Sequence, residues 1–298
     1  MNIRNILLSV AAGALACSCN FSEDDCIRLG HLRAYCNFAE IEAKDIPVPT
    51  SRHLIAYGIS DKTLELPEKK TFTQDTLKWD LPRGDYDFIF LSGNNEIRNM
   101  QSYRDCQLYS AITEADGKIY LTEKQTFVCK QLFQEHFDYQ KETVKEIITL
   151  PFTQTIIIRL HVSGNINPLT GITSELDGVA VSKFLVSNEL SSEYATMTSD
   201  YIKEQEENIW VSTNYVLGIN QSTDNVLRVI THTTDTSNDT YNIDLTPYLQ
   251  GFDKYKMTID LNLVIGKSLT IDSPVIIEDW ADGTITVFTT DYYSIFCN

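Results

Sequence analysis

The pair of thiols at Cys17 and Cys19 has the type and spacing for one kind of chemistry, acylation of sulfur by a lipid. They stand directly behind an unbroken run of apolar and small residues, Ile6 to Ala16, preceded by a short polar start that carries Arg4. That run is too short to span a bilayer, which takes ~20 apolar residues, and its small-residue end suits a cleaved leader. Two registers place small residues ahead of a cysteine that can be diacylated: Ala14-Leu15-Ala16 before Cys17, and Ala16-Cys17-Ser18 before Cys19. The first is slightly favoured, giving a lipoprotein signal peptide over residues 1–16. No other residues suggest a reaction. A Gly-x-Ser-x-Gly elbow, a His-Glu-x-x-His helix and a phosphate-cradling glycine loop are all missing, so no enzyme and no cofactor is expected.

The remaining titratable side chains are scattered. His31, His53, His136, His161 and His232 stand far apart, and the last two fall in strand patterns that turn them to solvent. Pairs such as Asp85 with Asp87 and Glu278 with Asp279 read as solvated surface. Asp235, Asn238, Asp239 and Asp244 offer oxygen ligands for a hard cation, but the central glycine and closing glutamate of an EF-hand loop are missing, and no metal is expected. Five further cysteines, Cys26, Cys36, Cys106, Cys129 and Cys297, make an odd number with no zinc spacing. Cys26 with Cys36, or Cys106 with Cys129, could pair in an oxidising envelope; buried free thiols fit at least as well. Trp79, Trp210 and Trp280 would stack on sugars if exposed, with core burial expected for Trp79 and Trp280.

Charge narrows the partners. One of the 24 basic residues, Arg4, leaves with the leader, so 23 face 41 acidic residues and the formal net charge moves from −17 to −18. Nucleic acid is not expected as a partner, because phosphate binding depends on clustered Lys and Arg. No basic amphipathic helix is present to hold an anionic membrane surface, so attachment has to come from the lipid.

The elements that position these groups are strands. Met257, Ile259, Leu261, Leu263 and Ile265 alternate with Thr258, Asp260 and Asn262, and Ile156, Ile158, Leu160 and Val162 alternate with Arg159 and His161; a two-residue period marks a strand with one buried face. Tyr86, Phe88 and Phe90 alternate around Asp87 before the run turns wholly apolar at Ile89 to Leu91, as in a central sandwich strand. Residues 54–57, 126–133, 179–186, 226–231 and 241–245 are further strand candidates. Pro82-Arg83-Gly84-Asp85, Gly93-Asn94-Asn95, Asp116-Gly117, Ser163-Gly164-Asn165, Asp177-Gly178 and Asp282-Gly283 punctuate them as turns. Helices are expected over 95–111 and 137–148, and loops over 187–207 and 233–240. The whole predicts an all-β chain of two tandem β-sandwiches, divided near Leu150-Pro151 into units 17–150 and 151–298. The tail 284–298 is expected as a packed final strand, with a donated strand as the alternative.

Three stretches, read together, resemble one family. Leu81-Pro82-Arg83-Gly84-Asp85-Tyr86, with Trp79 just before it, resembles the leucine-proline-x-glycine-x-tyrosine turn into a strand of fimbrillin-like lipoproteins of Bacteroidia. Gly178-Val179-Ala180-Val181-Ser182 is similar to the glycine-valine-alanine-x-serine strand in the second domain of anchor-type members, and Ile277-Glu278-Asp279-Trp280 to the strand near their C-terminus. The acidic stretch Ser22-Glu23-Asp24-Asp25 behind the lipid cysteine resembles a signal for export to the outer face of the outer membrane. The resemblance implies transthyretin-like Greek-key domains and a lipid-anchored, surface-exposed place on the outer membrane. It also implies a role as fimbrial anchor or accessory subunit, joined to other fimbrial subunits or surface proteins by strand insertion. Stalk subunits of that family are cut by an arginine-specific protease near the first strand, where Arg28 and Arg33 fall here; that role is not carried onto either. A surface glycan-binding lipoprotein is the alternative reading, since such proteins share anchor, acidity and sandwich folds.

Overall fold

The computed structural model describes residues 29–59, 67–166, 168–204, 208–234, 238–280 and 285–288. Cys17, Cys19, Cys26, Arg28, Asp235, Cys297 and the tail beyond 288 lie outside them.

The first half runs β1 (Leu29–Asn37), α1 (Ala39–Glu42), β2 (Arg52–Gly58), β3 (Glu68–Phe72), β4 (Thr76–Pro82), β5 (Gly84–Ser92), β6 (Glu96–Arg98), β7 (Gln107–Tyr109), β8 (Ile112–Ala115), β9 (Lys118–Leu121), β10 (Cys129–Phe137), β11 (Glu142–Ile148) and β12 (Leu150–Pro151). Two sheets face each other, in the orders β11-β1-β4 and β12-β10-β5-β2-β3. Alternation decides which side chains meet between them. Leu32 and Ala34, Leu77, Trp79 and Leu81, and Tyr86, Phe88 and Phe90 all turn into one core. Phe88 stacks on Phe133 with ring centres 4.8 Å apart, and Trp79 meets its edge at 6.4 Å, arrangements that aromatic quadrupoles favour.

β5 is apolar on both faces for a reason visible in the packing. Phe88 and Phe90 fill the sandwich, while Ile89 and Leu91 point outward to join Ile55, Leu108, Val128, Phe152, Leu185 and Leu217 in a second buried cluster. That cluster welds the first sandwich to the second half of the chain.

The second half contains β13 (Gln154–Ser163), β14 (Leu169–Ala180), β15 (Ser182–Phe184), β16 (Tyr194–Asp200), β17 (Ile202–Lys203), β18 (Ile209–Val216), β19 (Val226–Thr233), β20 (Asn238–Asp244), α2 (Thr246–Leu249), β21 (Lys256–Val264), β22 (Ser268–Glu278) and β23 (Ile285–Phe288). Its sheets run β17-β18-β13-β21-β22-β23 and β20-β19-β14-β16-β9-β8. Ile156, Ile158 and Leu160 on β13 meet Met257, Ile259 and Leu261 on β21, and Leu176, Leu227 and Val229 come from the opposite sheet. The chain is all-β, with two four-residue helices among the described residues.

Several local expectations are corrected. Residues 95–111 form the short strands β6 and β7 rather than a helix, with β7 bridging β6 and β15. Residues 137–148 complete β10 and form β11; Thr143, Val144, Ile147 and Ile148 are β-branched, a composition that suits a pleated surface better than a helix. The expected loop 187–207 contains β16 and β17, and on β16 Ala195 and Met197 are buried on either side of Thr196. β19 and β20 likewise occupy the ends of the expected loop 233–240. The hairpin β8–β9, early in the sequence, adds to a sheet of the second half through Tyr120 opposite Thr196. Of the tail, 285–288 pairs antiparallel with β22.

Candidate partner-binding cleft

An apolar cleft among the described residues follows from an incomplete sheet. β18 has β13 along one side, from Gln154 opposite Val216 to His161 opposite Ile209. On its other side β17 covers only Trp210 and Val211, so among the described strands nothing pairs with Ser212 to Val216. Such an edge presents unpaired backbone donors and acceptors.

A cleft of about 470 Å³ runs against that edge at Thr213, Asn214 and Tyr215. Its walls come from both halves of the chain. Pro47 and Pro49, whose rings fix φ and hold neighbouring residues extended, present Val48 from the first sandwich, and Met197 on β16 closes the far side. Phe127 lies between, its ring centre 5.6 Å from that of Tyr215. Burial raises the Tyr215 phenol above the usual tyrosine range, so it remains a neutral donor. Beneath the cleft the buried Gln125 donates from Nε2 to Ser110 Oγ at 2.7 Å and to Ala180 O at 3.2 Å, and its Oε1 accepts from Leu217 N at 2.7 Å. Gln125 therefore locks the floor. Ser199 Oγ donates to Asn214 Oδ1 at 2.6 Å, and Lys124 at the rim pairs with Asp200 at 2.9 Å.

Other sheet edges differ. On β3, Lys69 and Lys70 guard the edge, and Lys70 Nζ donates to the Lys78 carbonyl of β4 at 3.0 Å, a device that blocks unwanted strand pairing. β11 is a second open edge, with Val144 and Ile148 59% and 46% exposed.

The residues singled out in the sequence do not converge on this cleft. Trp79 is buried in the first core, 6% exposed, and Tyr86 Oη donates to Pro82 O at 2.8 Å across the turn containing Gly84. Gly178 sits in a β-bulge of β14 at φ +82°. Ser182 Oγ donates to Gln107 Oε1 at 3.0 Å, tying β15 to β7. Trp280 is half-buried against the first sandwich, and Trp210 is half-buried on β18. The histidines stay apart. His31 lies 2.7 Å from Asp80, His136 2.7 Å from Asp85, and His161 3.1 Å from Asp260; His232 is bonded to Thr173 and His53 to Thr71. Among the described residues no group of three or more His, Cys, Asp or Glu is placed to hold a metal. Cys36, Cys106 and Cys129 are free thiols, so Cys106 and Cys129 do not pair.

The cleft residues Val48, Phe127, Met197 and Tyr215 were not marked by the sequence. The run Ile209-Trp210-Val211-Ser212-Thr213-Asn214-Tyr215-Val216 carried a strand signal in its β-branched and aromatic content, but nothing local says that its outer edge is bare.

No family model matches the chain, and no curated protein matches it by sequence. Solved structures do match by fold. A putative adhesin from Bacteroides ovatus superposes with a TM-score of 0.57 at 11% identity, covering 84% of this chain and 97% of that one. Putative polysaccharide binding proteins from Bacteroides thetaiotaomicron give 0.53 at 11% identity over 87% and 98% of the two chains. The fimbrial anchor protein Mfa2 from Porphyromonas gingivalis gives 0.50 at 11% identity over 89% and 100%. The chain therefore shares its fold with a putative adhesin, with putative polysaccharide binding proteins and with a fimbrial anchor protein of Bacteroidia, the group its three sequence motifs resemble.

Proposed function

We propose that this chain is a non-enzymatic cell-surface lipoprotein, an anchor or accessory subunit of a fimbria or related adhesive assembly. In this reading it has two units divided near residue 150, is held to the outer membrane by a lipid on Cys17 or Cys19, and joins other subunits by accepting a strand. The observation that carries this reading is the apolar cleft along the uncovered edge of β18. A donated strand would satisfy the free backbone groups of Ser212 to Val216 while its alternate side chains enter the cleft beside Phe127 and Tyr215. The fold likeness to a fimbrial anchor and to adhesins supports the same conclusion.

The test is genetic and biochemical. Deleting the gene should reduce fibres, adhesion or biofilm, restored by the native chain and not by a Phe127→Asp chain that is still displayed on the surface. Metabolic labelling with a palmitate analogue should be lost in Cys17→Ala or in Cys19→Ala. Unchanged fibres and adhesion in the deletion strain would overturn the assignment.

A further inference from the structure

A second recess, lined by other residues, lies where β9 joins the second sandwich beside β16. β9 and β16 are bonded only at Tyr120 opposite Thr196. Beside that pair, along Lys118, Ile119, Tyr194 and Ala195, runs a groove of about 750 Å³. It is broadly open to solvent, a surface groove rather than an enclosed cavity.

The bulge in β14 shapes the groove. The register slips between Leu176 and Val179, and β-bulges re-aim side chains. Here Asp177 lines the groove: its Oδ1 accepts from Thr196 Oγ1 at 2.6 Å and lies 3.5 Å from Lys118 Nζ. Gly178 beside it rests on Asn225, a fully buried side chain whose Nδ2 donates to Asp177 O at 3.3 Å. The Oδ1 of Asn225 has no hydrogen-bond partner, which is costly in a buried amide. On the opposite lip Asn220, 7% exposed, donates from Nδ2 to Thr223 Oγ1 at 2.7 Å. Exposed Glu193 and Asp224 and the half-buried ring of Tyr194 complete the walls.

We infer that this groove is a binding site for a neutral saccharide. Sugar hydroxyls both donate and accept, and the groove offers carboxylate acceptors, an amide and hydroxyls in one recess, with one aromatic ring for the apolar face of a pyranose. Charge sets the class. Asp177, Glu193 and Asp224 against one lysine repel uronic acids and other anionic sugars. A basic peptide fits less well, because Asp177 is already matched by Lys118 and an ammonium or guanidinium group would leave the hydroxyl and amide wall unused.

This inference stands on residues separate from the strand-accepting cleft, so either can fail alone. Its test is a glycan microarray of neutral and acidic saccharides, with a lysine-rich peptide spotted alongside, probed with the full chain. Neutral saccharides should be retained. Asp177→Asn, which keeps an acceptor for Thr196, and Asp224→Ala, at an exposed position, should each weaken retention about ten-fold, the scale of one hydrogen bond to a charged group. Tyr215→Ala should leave it unchanged. Retention of no saccharide, preference for acidic sugars or for the peptide, or full-strength binding by both groove variants would overturn the inference.

Discussion

The indole Nε1 of Trp280 donates to a carboxylate oxygen of Glu40 at 3.2 Å, joining a residue just beyond β22 to α1, 240 positions earlier in the chain. The contact is wider than one bond. Lys44 Nζ sits 4.8 Å above the same indole, and Tyr255 meets it edge-on at 4.8 Å. Trp280 thus works as a staple between the two halves, since a cation over an aromatic face adds to packing. Trp280→Ala should lower stability by about 2–4 kcal/mol, Trp280→Phe by about 1 kcal/mol, and Glu40→Gln by less than about 1 kcal/mol, because the bond is exposed. Urea unfolding followed by fluorescence and circular dichroism would measure all three, and equal losses for Ala and Phe would contradict the staple.

Gly178 and Gly117 separate two costs of a side chain at positive φ. Both are left-handed, at +82° and +73°, but a Cβ on Gly178 would lie 2.3 Å from Asn225 Nδ2, whereas a Cβ on Gly117 meets nothing within 4 Å. Gly117→Ala should therefore show only the backbone cost, about 1–2 kcal/mol. Gly178→Ala adds a clash with a fully buried side chain and should lose about 3 kcal/mol or more. Thermal denaturation of the two variants side by side would test this, and similar shifts would rule out the clash.

Lys130 and Lys183 flank the ring of Phe152, with Nζ atoms 4.6 and 4.5 Å from its centre. Lys130 donates to Leu185 O at 2.6 Å and Lys183 to Phe152 O at 3.0 Å. Burial pulls both amines down to about 8, and for Lys130 the charge of Lys183 adds to the effect. The sign follows from proton counting. Below pH 8 both lysines are protonated in the folded and unfolded chain, so the folded state carries the full cost of two buried charges. As pH rises past 8 the folded chain releases protons that the unfolded chain still holds, and stability rises. Between pH 8 and 9 the lysines should contribute about 1 kcal/mol each, opposed over the same interval by Cys36, Cys106 and Cys129, whose thiols burial holds protonated while those of the unfolded chain ionise from about 8.5. Because the thiols act equally in both proteins, the stability of the wild type relative to a Lys130→Met, Lys183→Met variant should rise between pH 8 and 9, and a difference that stays constant over that interval would contradict the assignment.

Cys36 and Cys129 are pushed up to about 12 by burial, and burial also raises Cys106. A thiol reacts as its thiolate, so these three should resist a disulfide reagent at pH 8 in the folded protein and react once it is unfolded. Counting thiols with and without denaturant checks this; fast reaction of all three in the native state would place them at the surface.

Much of the fold was legible because alternation survives burial. Ile156 to Val162 and Met257 to Ile265 announce their buried faces, and the wholly apolar stretch at Ile89 to Leu91 foretold a strand covered on both sides. Periodicity failed where polar residues supply half of a buried strand, as in Tyr194 to Asp200, or where spacing fits two periods, as in Glu142 to Ile148. The crossing of β8 and β9 into the second sandwich depends on pairing 76 residues away, between Tyr120 and Thr196, and no local pattern records it. The cleft was hidden for the same reason: Val48, Phe127 and Tyr215 meet only after both halves have folded.

The central claim, that the bare edge of β18 accepts a partner strand, is tested most directly by a photo-crosslinking amino acid in place of Tyr215 in the displayed protein on living cells. The account predicts a crosslink to an extended segment of another surface subunit whose residues alternate apolar and polar, weakened by Phe127→Asp. An intact surface display that yields no crosslinked partner, or crosslinks unaffected by that substitution, would contradict it.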